Sequence, residues 1–216
     1  MTASCLRVKF PDSIYPYFQL APNTNYYLVG ASAHACIDKR PLSSVNIVVN
    51  PRQTNFFLQG ISACPYNENL YTYQHDGISI NYYISPINEI STESFLFQDA
   101  LTRDFTYNCL YIDAQGVVHD PLLGLALEHY KKSILATPIP ANISFQEDPA
   151  RLLHALTALT CGYNATSEVW EALHDWQAVY PLNKDHLKAI MRKDLSSFNE
   201  QQADQYLNLL RTTSCI

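Results

Sequence analysis

The hydrophobic period changes part-way along this chain, and that change constrains the fold more than any other feature. Up to about residue 125 the apolar residues come in short runs suited to strands; from about residue 145 they recur at helical spacing. Tyr26-Tyr27-Leu28-Val29 and Val45-Asn46-Ile47-Val48-Val49 are β-branched or aromatic runs bounded by polar or proline-containing stretches. Leu70-Tyr71-Thr72-Tyr73 and Ile78-Ser79-Ile80-Asn81-Tyr82-Tyr83 predict a hairpin joined through Gln74-His75-Asp76-Gly77, whose Asp-Gly step is a strong turn signal. A further strand is predicted at Cys109–Ile112, with Val117-Val118-His119 following after a turn.

In the second half, Asp148-Pro149 supplies a helix cap followed by a proline at the first helical position. Leu152, Leu153, Leu156 and Leu159 mark one apolar face, and Gly162 offers a stop. Thr166 or Ser167 starts a second helix through Val169, Trp170, Leu173 and Trp176. Two more are predicted over roughly 184–193 and 199–211. The stretch 134–144, with Pro138 and Pro140, reads as a connector. Strands followed by helices imply an α+β head over 1–133 and an all-α appendage over 145–216.

Composition excludes several classes. With 216 residues, 15 Tyr and 9 Phe, the chain can bury about 70% of its unfolded surface, so disorder is not its main state. A net charge of −6 argues against a dominant electrostatic grip on nucleic acid, leaving only a local patch for RNA contact. Cys5, Cys36, Cys64, Cys109, Cys161 and Cys215 form no metal-ligand spacing and read as reduced, mostly buried thiols. Residues 1–20 lack the apolar core of a signal peptide, and no stretch approaches the length needed to span a bilayer. The expectation is a cytoplasmic protein without a membrane partner, with export by a leaderless route left open.

Several segments, taken together, resemble the class II nucleotidyltransferases, the bacterial poly(A) polymerases and CCA-adding tRNA nucleotidyltransferases. Thr102-Arg103-Asp104-Phe105-Thr106-Tyr107-Asn108-Cys109-Leu110-Tyr111 is similar to the family's Arg-Arg-Asp-Phe-Thr-Ile-Asn-Ala-Leu-Tyr. Val118-His119-Asp120-Pro121 with Gly124-Leu125 resembles its Ile-Asp-Pro-x-Gly-Gly stretch, and Glu147-Asp148-Pro149-x-Arg151-Leu152-Leu153-His154-Ala155 resembles the helix that begins its neck. Tyr27-Leu28-Val29-Gly30-Ala31 through Arg40-Pro41 resembles the strand, Gly-Gly turn and helix that open the head. The resemblance spans about residues 25–165 and implies a polymerase-β-like head with a mixed sheet, followed by a helical neck.

In that family the head binds a nucleoside triphosphate and extends an RNA 3′ end with two metal ions. Hard Mg²⁺ ions require anionic oxygens, which the family supplies as Asp-x-Asp after the Arg-Pro stretch and an acid on a later strand. Here the Asp-x-Asp falls on Ser44-Val45-Asn46 and the later position falls near Ser79, so no carboxylate stands at either. The second turn glycine is Ala31, the family's Arg-Asp on the next helix reads His34-Ala35, and the first Arg of Arg-Arg-Asp is Thr102. Asp38 and Asp76 read as turn or helix-end residues. The resemblance therefore implies a pseudoenzyme with Ser44, Asn46 and Ser79 at degenerate catalytic positions, and Mg²⁺ as cofactor only if catalysis survives.

Other contact positions match. The resemblance assigns Gly30, Arg103, Asp104 and Asn108 to nucleotide binding, with Asp104 and Asn108 at the ribose and sugar-phosphate end, and Asp148 and Arg151 to the base edge. Structural roles compete: Asp148 as a helix cap, Arg103-Asp104 as an ion pair, Asn108 as a backbone clamp. His34, His75, His119, His129, His154, His174 and His186 form no ligand pair, and Trp170 and Trp176 read as packing. Tyr71, Tyr73, Tyr82 and Tyr83 offer a platform for bases or a protein, although strand alternation sends part of the set into the core. Three functions follow: a sensor or regulator binding ATP, CTP or an RNA 3′ end; a scaffold for a protein partner; and an active nucleotidyltransferase with displaced metal ligands.

Overall fold

The computed structural model describes residues 6–10, 26–50, 64–67, 70–75, 77–89, 91–175 and 184–213. Trp176, Asp76, Cys5 and Cys215 lie outside them. Contacts divide the chain into two units. One comprises Met1–Thr102 and Asn108–Ala126, the other Arg103–Tyr107 and Leu127–Ile216.

The first unit is built on a seven-stranded mixed sheet. Its strands are β1 (Tyr26–Leu28), β2 (Ser44–Val49), β3 (Cys64–Asn67), β4 (Leu70–His75), β5 (Ile78–Ile84), β6 (Tyr111–Ile112) and β7 (Val118–His119). The spatial order is β3-β4-β5-β2-β1-β6-β7. β2 runs parallel to β5, with Ser44 opposite Ser79 and Asn46 opposite Asn81; the other pairs are antiparallel. The β4–β5 hairpin pairs His75 with Ile78, and its Gly77 takes φ +78°, a conformation that glycine adopts without steric cost.

Alternation along β2 and β5 decides which face is apolar. Val45, Ile47, Val49, Ile80 and Tyr82 pack with Leu28, Ala33 and Cys36 in the core, leaving Ser44, Asn46, Ser79 and Asn81 on the alternate positions. Tyr82 is fully buried and Tyr71, its cross-strand neighbour, packs against the same core, so these two belong to the interior rather than to an exposed platform. Helix α1 (Gly30–Ile37) follows β1, and α2 (Thr92–Leu101) is capped by Ser91, whose Oγ accepts from the Ser94 N–H. Asp99 on α2 is completely buried and accepts from the Ser85 and Tyr111 hydroxyls at 2.7 Å each, which satisfies the buried carboxylate.

α3 (Leu125–Lys132) leads into the second unit, whose helices are α4 (Ala141–Glu147), α5 (Ala150–Thr160), α6 (Ser167–Asp175), α7 (Lys184–Ser197) and α8 (Glu200–Thr212). Leu152, Leu153, Leu156 and Leu159 of α5 are buried with Phe145, Val169, Leu173, Tyr206 and Leu210. Gly162 after α5 has φ +93°.

Two features depart from the sequence-based expectation. Regular pairing begins only at Tyr111, because Thr106–Asn108 form a 3₁₀ turn and the Cys109 thiol donates to the Ala100 carbonyl. The stretch 134–144 carries β8 (Ile134–Leu135), paired in parallel with β9 (Asn164–Ala165), and the first residues of α4; the appendage is therefore not purely helical. The Asp148 cap forms as expected: Asp148 is extended at φ −145°, its carboxylate accepts from the Ala150 N–H at 3.0 Å, and Pro149 already has helical angles of −60° and −18°. Cys36, Cys109 and Cys161 are in no disulfide; the first two are buried and the third is exposed. Among the described residues no helix is long and apolar enough to cross a membrane.

Candidate functional site

In the first unit the degenerate positions form one closed hydrogen-bond lattice. The Ser32 hydroxyl donates to the Ser44 carbonyl at 2.9 Å and accepts from the Asn46 backbone N–H at 2.8 Å. Asn46 Nδ2 donates to Ser32 Oγ at 3.1 Å and to Ser44 Oγ at 3.4 Å. On the neighbouring strand Asn81 Nδ2 donates to Asn46 Oδ1 at 2.9 Å, while Asn81 Oδ1 accepts from Thr72 at 3.1 Å and Ser79 at 3.3 Å. Each amide thus meets the complementary end of a neighbour.

This donor set does not fit a pair of divalent ions. Its oxygens are neutral, the Asn81 carbonyl already accepts two hydroxyls, and amide N–H groups occupy directions that a cation would need. Among the described residues no three His, Cys, Asp or Glu side chains come together in a way that could hold a metal. Two carboxylates at the separation of Asn46 and Asn81 could not both ionise without a cation between them, whereas two amides hold each other without one. Asn81, Ser32 and Thr72 are participants that the sequence reading missed. Stepping two residues from Ser79 along the strand face would have reached Asn81.

Gly30 opens α1 with φ +56°, a conformation that costs an ordinary residue about 1 kcal/mol. Asn108 closes the 3₁₀ turn and is half-buried.

The remaining candidates belong to the second unit. The segment Arg103–Tyr107 is anchored by Thr106, whose N–H donates to the Ala136 carbonyl at 2.8 Å and whose hydroxyl lies 2.7 Å from His129 Nδ1. Phe105 stacks on Tyr107, and the Tyr107 ring lies 4.4 Å from that of Tyr163. Burial, reinforced by the Asp104 carboxylate, raises the Tyr107 hydroxyl far above the ordinary phenol range, so it stays protonated. Asp104 Oδ1 accepts from the Phe105 N–H, and its other oxygen lies 3.8 Å from His154 Nδ1. Half-buried Arg103 precedes it. His154, which forms no ligand pair in the sequence, meets Asp104 only through the fold.

Arg151 is buried. Its Nη1 donates to the Ser144 carbonyl at 3.1 Å and the Ser144 hydroxyl at 2.9 Å, and lies 3.6 Å from Glu147. Asp148, three residues earlier, is exposed, its carboxylate engaged by the Ala150 N–H. The structure therefore brings Asp104 to His154 and ties Arg151 to α4.

The mixed sheet, the helix α1 between β1 and β2, and the helices after it define the class: this is the nucleotidyltransferase fold of the CCA-adding enzymes. Among solved structures, a tRNA-processing enzyme in an apo form superimposes with a TM-score of 0.78 at 20% identity, covering 97% of this chain and 59% of that one. The Bacillus stearothermophilus CCA-adding enzyme in complex with CTP gives 0.75 at 19% identity, over 93% of this chain and 52% of that one. The Thermotoga maritima CCA-adding enzyme complexed with tRNA gives 0.75 at 15% identity, over 95% and 52%. At the sequence level, the mitochondrial CCA tRNA nucleotidyltransferase of Candida glabrata is 30% identical over 79 residues, which is 36% of this chain and 15% of that protein. No protein-family model matches. The chain thus spans little more than half the length of the solved structures it resembles.

Proposed function

We propose that this chain is a nucleotidyltransferase-fold protein without two-metal chemistry that retains a nucleotide or RNA-end site and acts as a sensor or regulator. The carrying observation is the neutral lattice of Ser44, Asn46, Ser79 and Asn81, which satisfies itself where the reaction needs three carboxylates. Without anionic oxygens nothing offsets the cost of stripping water from Mg²⁺, and each 1.4 kcal/mol or so of lost transition-state stabilisation costs a tenfold in rate. The solved neighbours that carry CTP, ATP and tRNA support the choice of ligand. Asp104, Asp148 and Arg151 are the side chains that would recognise it.

A second reading, a protein-binding scaffold with no nucleotide, draws on Arg151: its guanidinium is already occupied by Ser144 and Glu147. Calorimetric titration with ATP and CTP, in EDTA and again with Mg²⁺, separates the two. The sensor reading expects equal binding in both buffers, weakened at least about tenfold in Asp104→Asn or Asp148→Ala. No heat from folded protein would favour the scaffold. Incorporation of labelled nucleotide into an RNA primer with Mg²⁺ or Mn²⁺ would overturn both and restore the enzyme.

A further inference from the structure

In the first unit, a cleft of about 440 Å³ opens at the C-terminal end of α1, the end remote from Gly30. Phe10, Cys36 and Pro41 are among the apolar residues that line it, and Lys9, Lys39 and Arg40 supply its charge; among the described residues no carboxylate lines it. Three of the 14 basic residues of a chain with net charge −6 converge here.

The way the backbone presents these cations is unusual. α1 ends in a paired cap in which the Arg40 N–H donates to the Ala35 carbonyl at 2.8 Å and the Lys39 N–H to the Cys36 carbonyl at 3.3 Å. This cap places Lys39 at φ +57°, the position where glycine is normal. A lysine there is strained, and Lys39 is one of the residues that line the cleft. The helix dipole accounts for cations at a helix end, but not for Lys9, which comes from a different part of the chain.

We propose that this cleft binds a phosphate-bearing small organic molecule. Two ammonium groups and a guanidinium suit a dianionic phosphate. Arg40 shares its charge with Asp38, which takes both Nε and Nη2 at 3.0 Å, so the lysines carry the larger part of the uncompensated charge. The volume is that of a small-molecule site and far exceeds a bare phosphate, and the apolar wall of Phe10, Cys36 and Pro41 receives the organic body. Gly30, at the opposite end of α1, is roughly 11 Å away along the helix axis, so the proposal does not rest on the nucleotide reading.

Residue-resolved NMR of the ¹⁵N-labelled full chain, titrated with phenyl phosphate, inorganic phosphate and phenol, tests it. Saturable shifts confined to the amides around Phe10, Cys36, Lys39 and Arg40 are expected. Phenyl phosphate should bind several-fold tighter than phosphate, and phenol should not bind. Lys39→Gly removes a cation while relieving the backbone, so it folds at least as well as the parent; it and Lys9→Gln should each weaken binding about tenfold. Unsaturable shifts, or affinity unchanged in Lys39→Gly, would overturn the proposal and leave the cations with a helix-capping role alone. Lack of ATP binding elsewhere does not bear on these outcomes.

Discussion

Asn46 and Asn81 differ from aspartates by one atom each, yet that atom decides what the surrounding sheet can hold. An amide offers a donor as well as an acceptor, so Asn81 Nδ2 meets Asn46 Oδ1 at 2.9 Å where two carboxylates would repel. The triple variant Ser44→Asp/Asn46→Asp/Asn81→Asp tests whether the backbone still frames a metal site. In EDTA it should lose about 1–3 kcal/mol, from broken hydrogen bonds and like charges. Mn²⁺ or Mg²⁺ should restore part of that loss, because an ion that binds only the folded form stabilises it by mass action. The parent should melt at the same temperature with or without the ions. Thermal unfolding in both buffers decides; a variant indifferent to metal would mean that more than the three side chains has been lost.

Single elements show which local signals govern this chain. Helix α8 begins at a capping box in which Asn199 Oδ1 accepts from the Gln202 N–H at 2.9 Å and Gln202 Oε1 accepts from the Asn199 N–H at 3.2 Å. Asn199→Ala should cost about 1 kcal/mol in urea unfolding, and Asn199→Asp should keep most of it; equal loss in both would locate the effect outside the cap. Elements with one dominant signal were legible in the sequence: the Asp-Gly hairpin, the leucine face of α5, and Gly162 as its stop. α4 was not, because Pro140 reads as a linker residue although it stands at the helix N-cap. α2 was passed over because Phe95, Leu96, Asp99 and Ala100 bury an aspartate among apolar residues, and no periodicity argument places a carboxylate in a core. The site was half legible. The missing acids at Ser44 and Asn46 were readable by counting along one strand, and Asn81 lay two residues from Ser79, but its pairing with Asn46 required the β2–β5 register, which only the folded sheet supplies.

At the scale of the whole molecule, alkaline pH should be the destabilising direction. Burial pushes the Cys36 thiol from 9.0 up to about 11, and raises the Tyr27 phenol in the first unit and the Tyr107 phenol in the second, where partial desolvation and the Asp194 carboxylate also raise the exposed Cys161 thiol. A group whose folded pKa stands above its unfolded value holds its proton more tightly in the folded chain. Its contribution is complete below the unfolded pKa and fades as pH climbs through the folded one. For Cys36 that window opens near pH 9 and closes near pH 11; for the tyrosines it opens near pH 10. The net charge of −6 becomes more negative over the same range, and self-repulsion acts in the same direction. Urea midpoints should therefore hold steady from pH 7.5 to about 8.5 and then fall steadily. Cys36→Ala should start lower, having lost core volume, but decline less steeply between pH 9 and 11. An identical slope in parent and variant would show that the thiol keeps an ordinary pKa in the folded chain, and would shift the alkaline sensitivity onto the tyrosines and the overall charge.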